Sequence, residues 1–515
     1  EIYLYVSSTL AQRDVDEPDR WNAALATSVT TEDQGLSYVV KLRKGVKWQK
    51  LAVDLNDPRY AWANVDHEVT AEDFKFTFDM YQNPQVGGRA AAGRSAYSHL
   101  DKVEVLDTYS FKVTFKERLY VNLGLVVDNT PMPRWLYMYD ENGQKFDDAT
   151  WGEKVNAHWY NQKAIGVGPY QFVSWETGVK IKLERNPTYW NCAQPAPFDR
   201  IEMVMLKDPQ AWLRYLKTGQ IDYTQVMPQQ YVSELKGKEP YLGEKGLKIA
   251  FHDELSYFYI GWNQRRPFFE DKRVRTAMTL AFNREALVEN VFGGLGEVIS
   301  GPYVKTNPCY DQSVKPLPFD LEGAKKLLDE AGWKDSDGDG IRDKVVNGKK
   351  TPFEFSLLMY GGSAEYETLA RIYREDLLQV GVKLNPLPLE WAAQLKQQES
   401  RDFDAYTGAW VPDWDIDLKP IWHSSTADQP SSSNYIAFKN AEADRLIDAH
   451  RQEQDPAKRA GYCQAFHRLV AEEQPYSFFY ARKRPVVYWD YLTPVFTVLY
   501  PYRDLRYFSF NQPRE

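Results

Sequence analysis

The sequence predicts an α/β protein of more than one lobe, on three observations. The chain has 515 residues, more than one hydrophobic core covers, so roughly two to four domains or lobes are expected. Its first half sets strand-like segments of period two around inserted helices. Beyond about residue 255, helical spacing and short strands follow one another, as in sheets built by crossover helices.

Taken in order, LSYVVKLRKGVKW places Leu36, Tyr38, Val40 and Leu42 at alternate positions, a strand with one buried face. VTAEDFKFTFDMY supplies Thr70 as an N-cap with Asp73 three residues on, and Phe74, Phe78 and Tyr81 on one helical face. VEVLDTYSFKVTF reads as a hairpin turning at Asp107 to Ser110, and VKIKLERN alternates Val179, Ile181 and Leu183 with outward lysines. In the second half, DKRVRTAMTLAFNREALVENVFGG puts Val274, Ala277, Met278, Ala281 and Phe282 at helical spacing and closes on Gly293 and Gly294. The helix AEYETLARIYREDLLQVG ends at Gly381 and precedes the strand VKLNPLPL. The short helix EWAAQLKQQES then leads to the strand FDAYTGAW, which predicts a parallel pair joined by a right-handed crossover. KDSDGDGIRDKVVNGKK and TADQPSSSNY read as loops.

Composition narrows the function classes. At 43% hydrophobic and 26% charged the chain is an ordinary folded one, and its net charge of −9 with no concentrated Lys/Arg stretch disfavours nucleic acid. No apolar run approaches the roughly 18 to 20 residues of a membrane span, and EIYLYVSSTLAQRD lacks the pattern of a signal peptide. An export signal or lipid-anchor cysteine upstream of this stretch is compatible with that. Cys192, Cys309 and Cys463 form no CxxC pair, so zinc binding and dithiol chemistry are not indicated. They are expected as buried, inert thiols, one disulfide in an oxidising compartment being the alternative. The seven histidines form no HxxxH or HxH cluster. No cofactor is called for, and no GxSxG, HExxH or phosphate loop marks a catalytic centre.

The candidate site is GAWVPDWDIDL, Gly408 to Leu418, where Asp413, Asp415 and Asp417 alternate beside Trp410 and Trp414. It lies just past the carboxyl end of FDAYTGAW, where open α/β sheets gather ligands. Three like charges on one extended face repel, so Asp415 and Asp417 are assigned mainly to solvent or backbone hydrogen bonds. Tyr257, Tyr259, Trp262 and Asn263 share a strand whose alternate side chains would face a cleft, with core packing as the competing reading. DSDGDGIRD opens like a calcium loop with Asp335, Asp337 and Asp339, but Val346 stands at the twelfth position where the bidentate Glu belongs, so a surface turn is the default.

Several phrases together resemble the family 5 extracellular solute-binding proteins, receptors of peptide-type ABC importers. They are LRKGVKW with VTAEDFKFTFD, IGVGPYQFVSWETGVKIKLERNPTYW, LKTGQIDYT, YIGWNQRRPFFEDKRVRTAMTLAFNREALV, SNYIAFKNAEADRLIDAH and EEQPYSFFYARKRPVVY, in the family's order from Leu42 to Tyr488. The resemblance implies a two-lobed Venus-flytrap fold of the type II periplasmic-binding-protein kind. It places lobe 1 at 1–253 with an extra subdomain at about 45–165, lobe 2 at 254–483, and a return to lobe 1 at 484–515. Ahead of TLAQRD the family usually has a first strand and loop that have no counterpart here.

In the family's dipeptide and oligopeptide members, an Asp shortly after a Gly–Trp pair binds the ligand's α-ammonium. Matching on the Trp places Asp413 there, with Trp414 and Trp410 as apolar walls. Thr407 stands where some members carry an Arg for a peptide carboxylate, and relatives of this fold take oligosaccharides, nickel complexes or opines. The implied function is a non-catalytic, monomeric receptor, periplasmic or extracellular, that captures a peptide or similar small solute in an interlobe cleft for an ABC permease of the cytoplasmic membrane. An oligosaccharide receptor is the alternative, and a secreted glycoside hydrolase, which needs only two carboxylates, is the rival outside the family.

Overall fold

In the computed structural model the described residues are 2–412, 414–429, 432–496, 499 and 504–511, less the side chains of Ala92 and Pro209. The chain divides into two compact units: Glu1–Thr224 with Tyr488–Glu515, and Gln225–Val487.

The first unit carries a four-stranded antiparallel sheet. Its strands are β1 (Ala26–Glu32), β2 (Ser37–Leu42), β3 (Leu100–Asp107) and β4 (Ser110–Phe115), in the order β1-β2-β4-β3. Alternation does what the sequence predicts: Tyr38, Val40 and Leu42 are buried, while Leu36, one residue ahead of the strand, is half-buried. The hairpin turns where expected, with Asp107 opposite Ser110. Helix α1 (Ala71–Gln82) starts at Thr70, whose backbone N–H donates to the Asp73 carboxylate at 2.9 Å. Phe74 is fully buried and stacks on Phe111 of β4, ring centroids 5.5 Å apart, which seats the helix on the sheet.

A second sheet, β5 (Tyr170–Glu176), β6 (Lys180–Arg185) and β7 (Arg200–Val204), is an antiparallel meander. Ile181 and Leu183 face inward, but Val179 precedes β6 in the turn and is exposed, because the strand begins one residue later than its alternation suggests. The chain's tail completes this unit's core: Leu492 and Phe508 are buried with Tyr5, Tyr170 and Leu183. The backbone N–H of Leu505 also donates to the Tyr5 hydroxyl at 3.4 Å.

The second unit is organised on a seven-stranded sheet. Its strands are β8 (Tyr223–Gln225, of which Gln225 belongs to this unit), β9 (Leu247–Trp262), β10 (Gly296–Val298), β11 (Glu354–Tyr360), β12 (Lys383–Leu389), β13 (Ala405–Trp410) and β14 (Tyr476–Trp489, in this unit as far as Val487). The order is β8-β14-β9-β13-β11-β12, with β10 added on β14. The expected β12–helix–β13 unit exists, but its strands are not neighbours: both run parallel to β11, which lies between them. The linking helix is α5 (Trp391–Ser400), and α4 (Ala364–Leu378) joins β11 to β12.

The long helical stretch expected after Asp271 is two helices, α2 (Lys272–Leu280) and α3 (Arg284–Asn290). Asn283 separates them by capping the second, its side chain accepting from the Ala286 N–H at 3.1 Å. Two further helices, α6 (Ala441–Gln452) and α7 (Pro456–Glu473), pack on each other and on the sheet through Leu446, Ile447, Phe466 and Val470. The cysteines correct the expectation of three inert thiols: Cys309 and Cys463 form a disulfide that ties the loop after β10 to α7, and Cys192 is free and exposed.

Candidate functional site

The parallel register of the second unit sets three strand ends at one edge. Tyr360, the last residue of β11, pairs with Leu389, the last of β12, and Leu358 of β11 pairs with Tyr406 four residues before Trp410 closes β13. Side chains left at carboxyl ends of parallel strands have no further strand to cover them. Here they are aromatic and apolar. Tyr360 is 36% exposed, Trp391 at the start of α5 57% and Val411 just past β13 76%. The chain turns away from β11 through Gly361, whose N–H donates to the Leu389 carbonyl at 2.9 Å, keeping Tyr360 and the Glu390–Trp391 step side by side.

Trp410 is half-buried, and its ring lies nearly parallel to Tyr259, 12° between planes and 6.5 Å between centroids. Behind it stands a closed tyrosine cluster. Tyr259 stacks on Tyr476 at 3.9 Å, and its hydroxyl lies 3.0 Å from that of Tyr406, which is 3.4 Å from the Tyr476 hydroxyl. Burial pushes the Tyr259 and Tyr406 phenols well above their usual range, so they remain neutral hydrogen-bonding groups. Gly408 makes the cluster possible: it pairs with Tyr259, and a Cβ there would sit 2.6 Å from that ring.

These positions sort the residues proposed from sequence. Asp413 lies outside the described residues. Trp410 and Trp414 are half-buried. Tyr257 and Tyr259, at 2% and 3% exposure, belong to the core behind Trp410, since β9 runs between β13 and β14 and is covered on both faces. Thr407 is buried as well, its hydroxyl donating to the Leu358 carbonyl and its carbonyl accepting from Gln394. Asn263 is fully enclosed. Its amide donates to the carbonyls of Arg401 and Phe403 at 3.0 and 2.7 Å and its oxygen accepts from the Arg265 N–H, so it fastens β9 to the chain before β13.

Asp417 accepts from the Lys419 N–H at 3.0 Å and pairs with Arg451 of α6 at 3.1 Å, anchoring the far end of the acidic segment. Tyr360, Trp391 and Val411 did not come out of the sequence reading. Their signal was an apolar side chain at the last residue of a strand, or directly after it.

The acidic loop gathers Asp335, Asp337 and Asp343 within 4.8 Å of one another, so Asp343 takes the place proposed for Asp339. A lysine supplies the cation: Lys350 Nζ lies 2.6 Å from Asp337 and 3.3 Å from Asp343. Asp335 is engaged by the N–H groups of Gly338 and Gly340 at 2.7 and 3.0 Å, so its carboxylate holds the turn.

Residues 20–432 match the family described as bacterial extracellular solute-binding proteins, family 5 Middle. The chain belongs to this family. Oligopeptide-binding protein AppA of Bacillus subtilis is 32% identical over 487 residues, 93% of this chain and 80% of that protein. Heme-binding protein A of Haemophilus influenzae is 26% identical over 82% of this chain and 72% of its own length. The structure of B. subtilis AppA in complex with a nonapeptide superimposes with a TM-score of 0.77 at 28% identity, covering 99% of this chain and 94% of that one. The fold is therefore the two-lobed α/β fold of family 5 solute-binding proteins, and the function is that of a solute-binding component of an ABC importer. The family and these relatives are binding proteins, and the comparisons do not favour the hydrolase alternative. The family is extracellular, and among the described residues no helix is long and apolar enough to cross a membrane.

Proposed function

We propose that the chain captures a peptide and delivers it, as a monomeric periplasmic or extracellular receptor, to an ABC permease in the cytoplasmic membrane. The observation that supports this reading is the exposed apolar surface of Tyr360, Trp391 and Val411, with Trp410 directly before Val411 in the chain. Aromatic surface of this kind accepts varied side chains, because ring faces make contact without demanding one hydrogen-bond pattern. The Asp413 carboxylate, which follows Val411 and Pro412 in the sequence, is proposed to select a cationic end, and the α-ammonium of a peptide is the simplest such group. At the position where a carboxylate-binding Arg would stand, Thr407 is buried and hydrogen-bonded inward, so nothing there fixes the peptide's other end. That arrangement favours tolerance of length, in keeping with a relative solved with nine residues bound.

Calorimetric titration with a nonapeptide and its N-acetylated form tests the reading. Asp413→Ala should weaken the free-amine peptide by about 10- to 100-fold, the worth of a charge-assisted hydrogen bond. Trp391→Ala should weaken both peptides by several-fold without lowering the thermal midpoint. Equal affinity for the two peptides, unchanged by Asp413→Ala, would reject the ammonium anchor.

A further inference from the structure

Within the second unit there is a cavity of about 220 Å³ away from the aromatic shelf. One water needs only about 10–15 Å³ of such space, so the cavity has room for a polyatomic guest. It is walled by Ser300, Val314, Lys315 and Leu317 of the loop after β10, by the last turns of α7, and by Phe478 at the start of β14. The Trp262 N–H donates to the Pro475 carbonyl, so β14 starts where β9 ends. Trp410 instead pairs with Tyr257, further back along β9. The cavity's lining shares no residue with the shelf, although Phe478 of β14 lies beside Tyr257 of β9, ring centroids 6.2 Å apart.

The lining residue that calls for explanation is Arg284, 1% exposed. Its Nη1 donates to the Phe478 carbonyl at 2.7 Å and its Nη2 to the Leu317 carbonyl. Its Nε finds no acceptor, and no carboxylate lies within ion-pair distance among the described residues. A buried guanidinium bonded to carbonyl dipoles, with the adjacent Glu285 acting on it only through space, is a costly arrangement that a bound anion would complete. The surrounding charges point the same way. Lys315 is exposed at the rim, and among the described residues its ammonium bonds to the Gln312 carbonyl at 3.0 Å and to no carboxylate. Arg468 also lines the cavity. The acids nearby are already matched, Asp311 to Arg468 and Glu472 to Lys272 at 2.9 Å.

We propose that this cavity binds one small inorganic oxyanion of the phosphate class, with Arg284 as its buried donor and Lys315 as its cation at the rim. The site is independent of peptide binding. Titration of inorganic phosphate into the full chain in a chloride buffer at neutral pH, followed by calorimetry and thermal unfolding, tests it. One phosphate should bind per chain and raise the unfolding midpoint. Lys315→Glu, at an exposed position, should weaken binding about tenfold, and Arg284→Gln should abolish it. If Arg284→Gln does not fold, Lys315→Glu decides the matter. Absence of saturable binding, a Lys315→Glu variant that binds as tightly as the parent, or competition between phosphate and a saturating nonapeptide would each overturn the assignment.

Discussion

Breaking the bridge between Cys309 and Cys463 should weaken the second unit by a measurable and bounded amount. The two cysteines are 154 residues apart, and the chain-entropy estimate for closing a loop of that size is about 5 kcal/mol at 25 °C. The measured loss should be smaller, because the joined segments hold each other by other means. The Asp311 N–H donates to His467 Nδ1 at 2.9 Å, Arg468 pairs with Asp311, and the Gln464 amide donates to the Pro308 carbonyl at 2.9 Å. With those contacts retained, a loss of about 2–4 kcal/mol is expected, a large part of the roughly 5–15 kcal/mol by which a protein is stable. At a urea dependence of about 3 kcal/mol per molar this moves the unfolding midpoint down by about 1 M. The assay is urea unfolding followed by circular dichroism, for the parent with and without reductant and for a Cys309→Ser/Cys463→Ser double variant. The reduced parent and the double variant should shift alike. Titration of thiols in the unfolded, unreduced chain should find only Cys192. Three reactive thiols, or a midpoint that ignores reductant, would refute the reasoning.

Two further outcomes follow from neighbouring parts of the same unit. His467 is buried, and burial lowers its pKa from 6.5 to about 4; its Nδ1 already accepts from Asp311 and its Nε2 faces Ser300 at 3.0 Å, so a second ring proton would break a bond. The unfolded chain therefore binds more protons between these values, and stability should fall by up to about 3 kcal/mol as pH drops from 6.5 to 4. Urea midpoints should show this slope, a His467→Gln variant should flatten it, and a slope of opposite sign would contradict the assignment. Gly408→Ala should cost about 1–3 kcal/mol by forcing Tyr259 out of its stack, read as a lower thermal midpoint, and an unshifted midpoint would show that the ring has room to yield.

Alternation and capping made much of the architecture readable: Tyr38, Val40 and Leu42 on one strand face and Thr70 with Asp73 at a helix start are local effects, set by residues a few positions apart. The errors came where partners distant in sequence decide the outcome. Nothing in VKLNPLPL or FDAYTGAW says that β11 will come between them, and no spacing rule pairs Cys309 with Cys463. The site divided along the same line. Asp417 met its expected backbone partner nearby, but Tyr257 and Tyr259 were drawn into the core because one side-chain cluster covers their face of β9 and another covers the opposite face, and Asn263 was fixed by the carbonyls of Arg401 and Phe403. Trp391 looked like an ordinary first residue of a helix until the register set it beside the end of β11.

The return of residues 488–515 to the first unit bears on the order in which the molecule is completed. The second unit is one uninterrupted stretch and can finish while the end of the polypeptide is still being delivered. The first unit cannot: Phe508 and Leu492 belong to its interior, so a face containing Tyr5 and Tyr170 stays open until these residues arrive. A protein truncated shortly after Val487 should therefore keep a sound half and expose a greasy one, which gives quality control a clear mark of unfinished synthesis.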